Sequence, residues 1–234
     1  MSAIPRRERL IAALDVPTAA EARALAERLG DAVRFYKIGL ELFTAGGYFE
    51  LAGWLAGRGC RVFADLKLYD IPETVRRAVA NLRASGAAFL TVHGNRGIME
   101  AAAREKGAVK ILAVTVLTSF DRKDLAEMGY RGEVSDLVLA RAGGALEAGC
   151  DGVIASGLEA APIKRKFGER LLVVTPGIRP AGGAAADQKR VVDVAQAFAG
   201  GADYIVVGRP IRDAADPRAA AEAIQATIER IFPA

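Results

Sequence analysis

Eight short apolar runs, spaced along the chain and separated by longer segments rich in Ala, Arg and Glu, restrict the possible folds more than any other feature. The runs are Arg9–Asp15, Arg34–Gly39, Cys60–Lys67, Ala88–His93, Lys110–Val116, Gly152–Ser156, Leu171–Thr175 and Asp203–Gly208. Each has strand length, and each is followed by a helix-like segment, the pattern of parallel strands joined by crossover helices. Two α/β architectures fit. An open doubly wound sheet calls for a Gly-x-Gly-x-x-Gly turn after its first strand, but that turn here is Asp15-Val16-Pro17-Thr18. A closed single-domain (β/α)8 TIM barrel makes no such demand and accommodates 234 residues. The barrel is the expected fold, as one domain over residues 1–234.

Local signals agree with this register. Thr18 with Glu21, and Ser156 with Glu159, have capping-box spacing, and Asp216-Pro217 suits the start of a last helix. No linker or charge block divides the chain. The one low-complexity stretch, Ala181 to Ala186, is read as a mobile loop.

Composition excludes several classes of function. A chain that is 52% hydrophobic and 26% charged has enough apolar surface for a core. A net charge of +4, from 32 basic and 28 acidic residues, is too mild for nucleic acid, and no basic stripe is interleaved with aromatics. The apolar run Leu10 to Leu14 is interrupted by Asp15, too short for a membrane span and poor as a signal peptide. Two cysteines, Cys60 and Cys150, lack metal-ligand spacing and read as small core residues in a reducing compartment. The expected location is the cytoplasm, with no membrane partner.

In a barrel the active site lies at the C-terminal ends of the strands. Those ends carry Asp15, Lys37, Asp65 with Lys67, His93, Thr115 to Thr118, Ser156, Thr175-Pro176 and Gly208-Arg209. Alternate strand residues share a face, so Phe63, Asp65 and Lys67 are expected to point the same way. A buried carboxylate beside an ammonium is a poor investment for stability alone. Asp70 follows three residues later. Taken alone it is best read as a cap, because Asp70 and Glu73 flank Pro72 in a helix start. Ser156 likewise reads as a cap. His93, the single histidine, has no partner at ligand spacing and is left out of the site. After the eighth strand, Gly208-Arg209 is suited to an anion. The seventh loop, Thr175-Pro176-Gly177-Ile178-Arg179-Pro180 through Asp187-Gln188-Lys189-Arg190, is long, glycine-rich and basic. Barrel enzymes frequently bind phosphate after strands seven and eight.

Three chemistries compete for these residues. A Schiff base on Lys67 needs a depressed lysine pKa, which neighbouring Asp65 opposes. An Mg2+ site on Asp15, Asp65 and Asp70 is opposed by Lys37 and Lys67 beside the metal. A network of alternating charges keeps Lys67 protonated as an acid, ready to protonate a carbon that has just lost its carboxylate. This third chemistry uses every charge and needs no cofactor.

At this point the chain resembles the bacterial orotidine 5′-phosphate decarboxylase family over essentially its whole length. The motifs that carry the resemblance are Leu14-Asp15-Val16-Pro17, Lys37-Ile38-Gly39, Asp65-Leu66-Lys67 with Asp70-Ile71-Pro72-x-Thr74, Val116-Leu117-Thr118-Ser119, the seventh-loop run and Val206-Val207-Gly208-Arg209. The resemblance implies a catalytic tetrad of Lys37, Asp65, Lys67 and Asp70, with Lys67 as proton donor to C6 of the pyrimidine. It implies that Asp70, Ile71 and Thr74 reach the partner's site in a homodimer. Asp15 and Lys37 would contact the ribose, Thr118 the pyrimidine edge, and Pro176 the base. Arg179, Gln188, Gly208 and Arg209 would bind the phosphate. The implied substrate and product are orotidine 5′-monophosphate and uridine 5′-monophosphate, with no metal or other cofactor. Leu68, Tyr69, Glu73, the turn His93 to Gly97 and the loop before Asp187 depart from the common family pattern. A Mg2+-dependent sugar-phosphate decarboxylase or synthase on the same barrel, and a non-catalytic phosphate-ligand barrel, are the rival readings.

Overall fold

Strands form where apolar residues repeat every second position, and in this chain both faces of each strand are buried. The structure, a computed structural model, describes residues 4–179 and 190–233. The strands are β1 (Leu10–Ala13), β2 (Phe35–Gly39), β3 (Arg61–Leu68), β4 (Phe89–His93), β5 (Lys110–Val114), β6 (Gly152–Ile154), β7 (Leu172–Thr175) and β8 (Tyr204–Val207). They pair in parallel, each with its sequence neighbour, and β1 pairs with β8 to close the barrel. All eight expected strands are present, with ends within about two residues of the expected ones, the usual spread for element boundaries.

Helices cover the barrel's outer face. They are α1 (Ala19–Leu29), α2 (Leu40–Thr44), α3 (Tyr48–Gly57), α4 (Pro72–Arg83), α5 (Arg96–Glu105), α6 (Arg122–Glu127), α7 (Val134–Glu147), α8 (Gly157–Phe167), α9 (Val194–Ala199), α10 (Arg209–Arg212) and α11 (Pro217–Ile231). Among the described residues no helix is long and apolar enough to cross a membrane.

The caps are instructive. Asp216 caps α11 through Ala219 N, with Pro217 in the first turn, as expected. Thr18 caps α1 through Glu21 N, but the Glu21 carboxylate accepts the Thr18 hydroxyl in place of the expected reciprocal backbone bond. Ser156 caps α8 through Leu158 N and donates its hydroxyl to one Glu159 oxygen, while the other pairs with Arg190, so the expected reciprocal backbone bond is again replaced. The cap reading of Asp70 is corrected. The N-cap of α4 is Ile71, without a side-chain bond, because Asp70 turns back on Ile71 N at 2.6 Å and Glu73 pairs with Arg76 and Arg77.

The barrel interior is filled by side chains, not open. Near its floor the rings of Phe35, Phe89 and Tyr204 meet with centroids 4.9 to 5.9 Å apart, and Phe63 packs against Phe89. Phe35, Phe89 and Tyr204 come from β2, β4 and β8, and Phe63 comes from β3. The remaining even strand, β6, supplies Gly152, where a Cβ would lie 2.5 Å from the Leu172 carbonyl and 2.9 Å from Leu112 Cδ2. Above this floor sit Ile11, Leu112 and Leu172 in the same apolar cluster. Cys150 is buried, which pushes its thiol up to about 12; Cys60 is only half-buried, at the edge of the core. The Ala181 to Ala186 stretch lies outside the described residues.

Candidate active site

The period of two that carries the aromatic floor also carries the site. Two residues beyond Phe35 is Lys37, beyond Phe63 is Asp65, and beyond Phe89 is Thr91. All three are buried and face the same interior. Lys37 Nζ lies 2.8 Å from Asp15 Oδ1 and 3.5 Å from Asp65 Oδ2. Lys67 Nζ lies 2.9 Å from Asp65 Oδ1. The result is an alternating chain, Asp15–Lys37–Asp65–Lys67. Gly39 makes room for it, since a Cβ there would sit 3.1 Å from Lys37 Nζ and 3.3 Å from Asp15 Oδ1.

Lys67 does not arrive by regular pleating. Five residues of β3, Ala64 to Leu68, stand against only three of β4, Leu90 to Val92, so the strand bulges. Lys67 has φ of 48°, the left-handed region, alone among the described non-glycine residues. Such a backbone costs about 1–3 kcal/mol and persists only where its surroundings hold it. Thr91 is what holds it. Its hydroxyl accepts from Lys67 N at 2.9 Å and donates to Asp65 Oδ1 at 2.9 Å. Simple alternation therefore holds for Phe63 and Asp65, and a bulge delivers Lys67.

The network is electrostatically self-consistent. Burial pushes the Asp65 carboxyl up, but the ammonium groups of Lys37 and Lys67, with hydrogen bonds from Lys67 and Thr91, outweigh it and leave its pKa below the ordinary value. Burial likewise disfavours the Lys37 ammonium, yet Asp65 and Asp15 together raise its pKa. Both groups stay charged at neutral pH. Burial, with Arg141 and Lys67 nearby, lowers the His93 pKa, so the imidazole adds no further positive charge there.

The network opens into a cavity of about 440 Å³ at the C-terminal ends of the strands. Its lining includes Asp15, Lys37, Asp65, Lys67, Thr118, Pro176, Arg179, Gly208 and Arg209. The opposite wall is apolar, built from Val114, Val116, Leu117, Ile154 and Val206. Asp70, Ile71 and Thr74 are not among the lining residues and are exposed on the surface. Gln188 lies outside the described residues. Three contributors escaped the sequence reading. Thr91 looks like any β-branched strand residue, and its role was accessible only through its place opposite the Asp65 run. Arg212 lines the cavity and donates to the Asp15 carbonyl at 2.7 Å. Of the apolar wall, Val114 and Ile154 belong to no motif, and Val116, Leu117 and Val206 entered the sequence reading only as parts of motifs, not as a wall.

Fold and site together define a (β/α)8 barrel whose mouth joins a buried charge network to an arginine-rich rim after β7 and β8, where barrel enzymes frequently bind phosphate. Comparison with known proteins is more specific. The model of the orotidine 5′-phosphate decarboxylase / HUMPS family matches residues 8–224, and the chain belongs to that family. It is 58% identical over 232 residues to orotidine 5′-phosphate decarboxylase of Methylococcus capsulatus, covering 99% of this chain and 96% of that one. The same enzyme of Rhodopseudomonas palustris is 56% identical, covering 96% and 95%. The crystal structure of orotidine 5′-phosphate decarboxylase from Lactobacillus acidophilus matches with a TM-score of 0.83 at 36% identity, over 97% of this chain and 100% of that one.

Proposed function

We propose that this protein decarboxylates orotidine 5′-monophosphate to uridine 5′-monophosphate and CO2, a step of pyrimidine biosynthesis, without a cofactor. The observation that carries the mechanism is the buried alternation Asp15–Lys37–Asp65–Lys67 facing an apolar wall. In the reaction the bond from C6 to the carboxylate carbon breaks and CO2 leaves. The electron pair stays on C6, and the Lys67 ammonium gives its proton to that carbon. Solvent then reprotonates Lys67. No imine or metal delocalises the C6 pair, so stabilisation falls to a fixed cation in a site that excludes water, where preorganised charge is most effective. Asp65 fixes Lys67 and stands beside the substrate carboxylate.

Around this centre, Asp15 and Lys37 contact the ribose hydroxyls, Thr118 reads the pyrimidine edge and Pro176 lies beside the base. Arg179, Gln188, Gly208 and Arg209 bind the phosphate, whose binding energy helps to order the site. Asp70, Ile71 and Thr74 act in the partner's site of a homodimer. The outward, exposed position of Ile71 and of neighbouring Tyr69, 67% and 66% exposed, supports that role. The two free thiols suit a cytoplasmic enzyme.

The test is loss of orotate ultraviolet absorbance on adding purified protein to orotidylate, with and without a chelator. Conversion that persists with chelator is expected. No conversion would overturn the reading, and chelator-sensitive conversion would favour the Mg2+-dependent rival. Mixing inactive Lys67→Ala and Asp70→Ala subunits should restore part of the activity. No recovery despite confirmed subunit exchange would count against Asp70 acting across the interface.

A further inference from the structure

A second buried ion pair lies outside the catalytic network and has so far no role. Arg190 and Glu159 are only 8% and 5% exposed, and Arg190 Nη1 stands 2.5 Å from Glu159 Oε1. The other Glu159 oxygen accepts the hydroxyl of fully buried Ser156 at the end of β6. The second guanidinium nitrogen, Nη2, donates to two successive carbonyls, Val116 O at 3.2 Å and Leu117 O at 2.9 Å. One side chain thus joins the loops after β5, β6 and β7.

Its base is anchored. Ile178 and Val192 form an isolated parallel bridge, with Arg179 N donating to Val192 O at 3.0 Å. Val192 also packs so closely on the first residue of α8 that a Cβ on Gly157 would lie 2.3 Å from Val192 Cγ2. Arg190, two residues before Val192, is therefore fixed relative to α8 and Glu159.

Stability alone is a weak reason for such a pair, because well-packed apolar residues of similar volume often replace a buried ion pair without loss. What apolar residues cannot do is hold two consecutive carbonyls. A guanidinium has donors in a rigid fork that can serve a carboxylate and two carbonyls together, and a lysine ammonium has no such geometry. Fixing those carbonyls fixes the peptide planes that lead into Leu117 and Thr118, both of which line the cavity.

We propose that Arg190, held by Glu159, is a positioning residue for the pyrimidine side of the cavity, setting where Leu117 and Thr118 meet the base. The proposal rests on the orotidylate reading. It separates Arg190 from the phosphate-facing arginines, although Arg190 follows Gln188 by only two residues.

The test compares two probes, uridine 5′-monophosphate, which carries base and phosphate, and ribose 5-phosphate, which lacks the base. Arg190→Lys keeps a charge for Glu159 but loses the fork. It should weaken uridine 5′-monophosphate binding about tenfold, the scale of lost hydrogen bonds from a charged donor, and leave ribose 5-phosphate within about twofold. The paired Glu159→Leu, Arg190→Met variant should keep a thermal midpoint near wild type yet show the same selective loss, with kcat/KM reduced to match. Equal weakening of both probes would place Arg190 at the phosphate end and overturn the proposal. So would wild-type nucleotide affinity in either variant. An inactive wild type would instead bring down the orotidylate reading, so the two failures are distinguishable.

Discussion

The two halves of the barrel mouth are built on one pattern and made for different work. In β2 to β4 the positions above the floor continue as Lys37, Asp65 and Thr91, with Asp15, just past β1, and Lys67 beyond; in β5 to β8 they continue as Val114, Ile154, Val174 and Val206. Below them the floor is apolar on both sides. In the proposed mechanism the charged half keeps fixed dipoles and ions around the reacting carbon, and the apolar half lowers the local dielectric so that those charges act strongly. Neither half suffices alone. Without the apolar wall, water would screen the network; without the network, the cavity would be only a place to bind.

The first way to break the comparison is to remove the acid from the charged half. Lys67→Ala should lower kcat/KM for orotidylate by about four orders of magnitude, since proton donation and electrostatic stabilisation are lost together. A loss below tenfold would remove Lys67 from the chemistry. Next comes the hydroxyl that locks this half together. Thr91→Val keeps the shape but deletes both hydrogen bonds, leaving the Lys67 backbone without its partner, and should cost about tenfold to a hundredfold in kcat. Thr91→Ser should recover most of it. Failure of serine to do better than valine would mean that the methyl group, not the hydroxyl, matters.

A smaller effect is expected from the other half. Val206→Thr places an isosteric hydroxyl in the dry wall and should reduce kcat/KM by about threefold to tenfold, with the fold intact by circular dichroism. The smallest effect is on stability against pH. The native Asp65 pKa is depressed, so its contribution is present above the ordinary 3.8 and is lost as pH falls through the lower native value. The native Lys37 pKa is raised, so its contribution is present below the ordinary 10.5 and is lost only as pH rises beyond that. The stability difference between wild type and Asp65→Asn, from urea titrations, should be flat across neutral pH and shrink below 3.8 and above 10.5. A difference that changes across neutral pH would contradict the charge assignment.

The contrast between the halves also explains what could be read in advance. Eight apolar runs dictate the barrel because burial on both strand faces leaves a continuous signal. Asp65 and Lys67 stand out because charges in such runs are costly. Thr91, Val114 and Ile154 do not stand out, because a threonine or valine in a buried strand is what packing alone would select. The bulge that turns Lys67 into the left-handed region was hidden for a different reason. It depends on the β3–β4 register, set by contacts between distant segments. Glu159 was only half legible for the same reason, since its spacing from Ser156 points to the local bond it makes while its second partner, Arg190, is 31 residues away.

Proton delivery from Lys67 to C6 is the central claim, and by microscopic reversibility it also runs backward on the product. Uridine 5′-monophosphate bound to the wild-type protein in D2O should exchange its C6 hydrogen for deuterium, seen as loss of the H6 proton resonance. Lys67→Ala, at matched occupancy by the nucleotide, should leave that resonance intact over the same time. Exchange by Lys67→Ala at the wild-type rate would contradict the account.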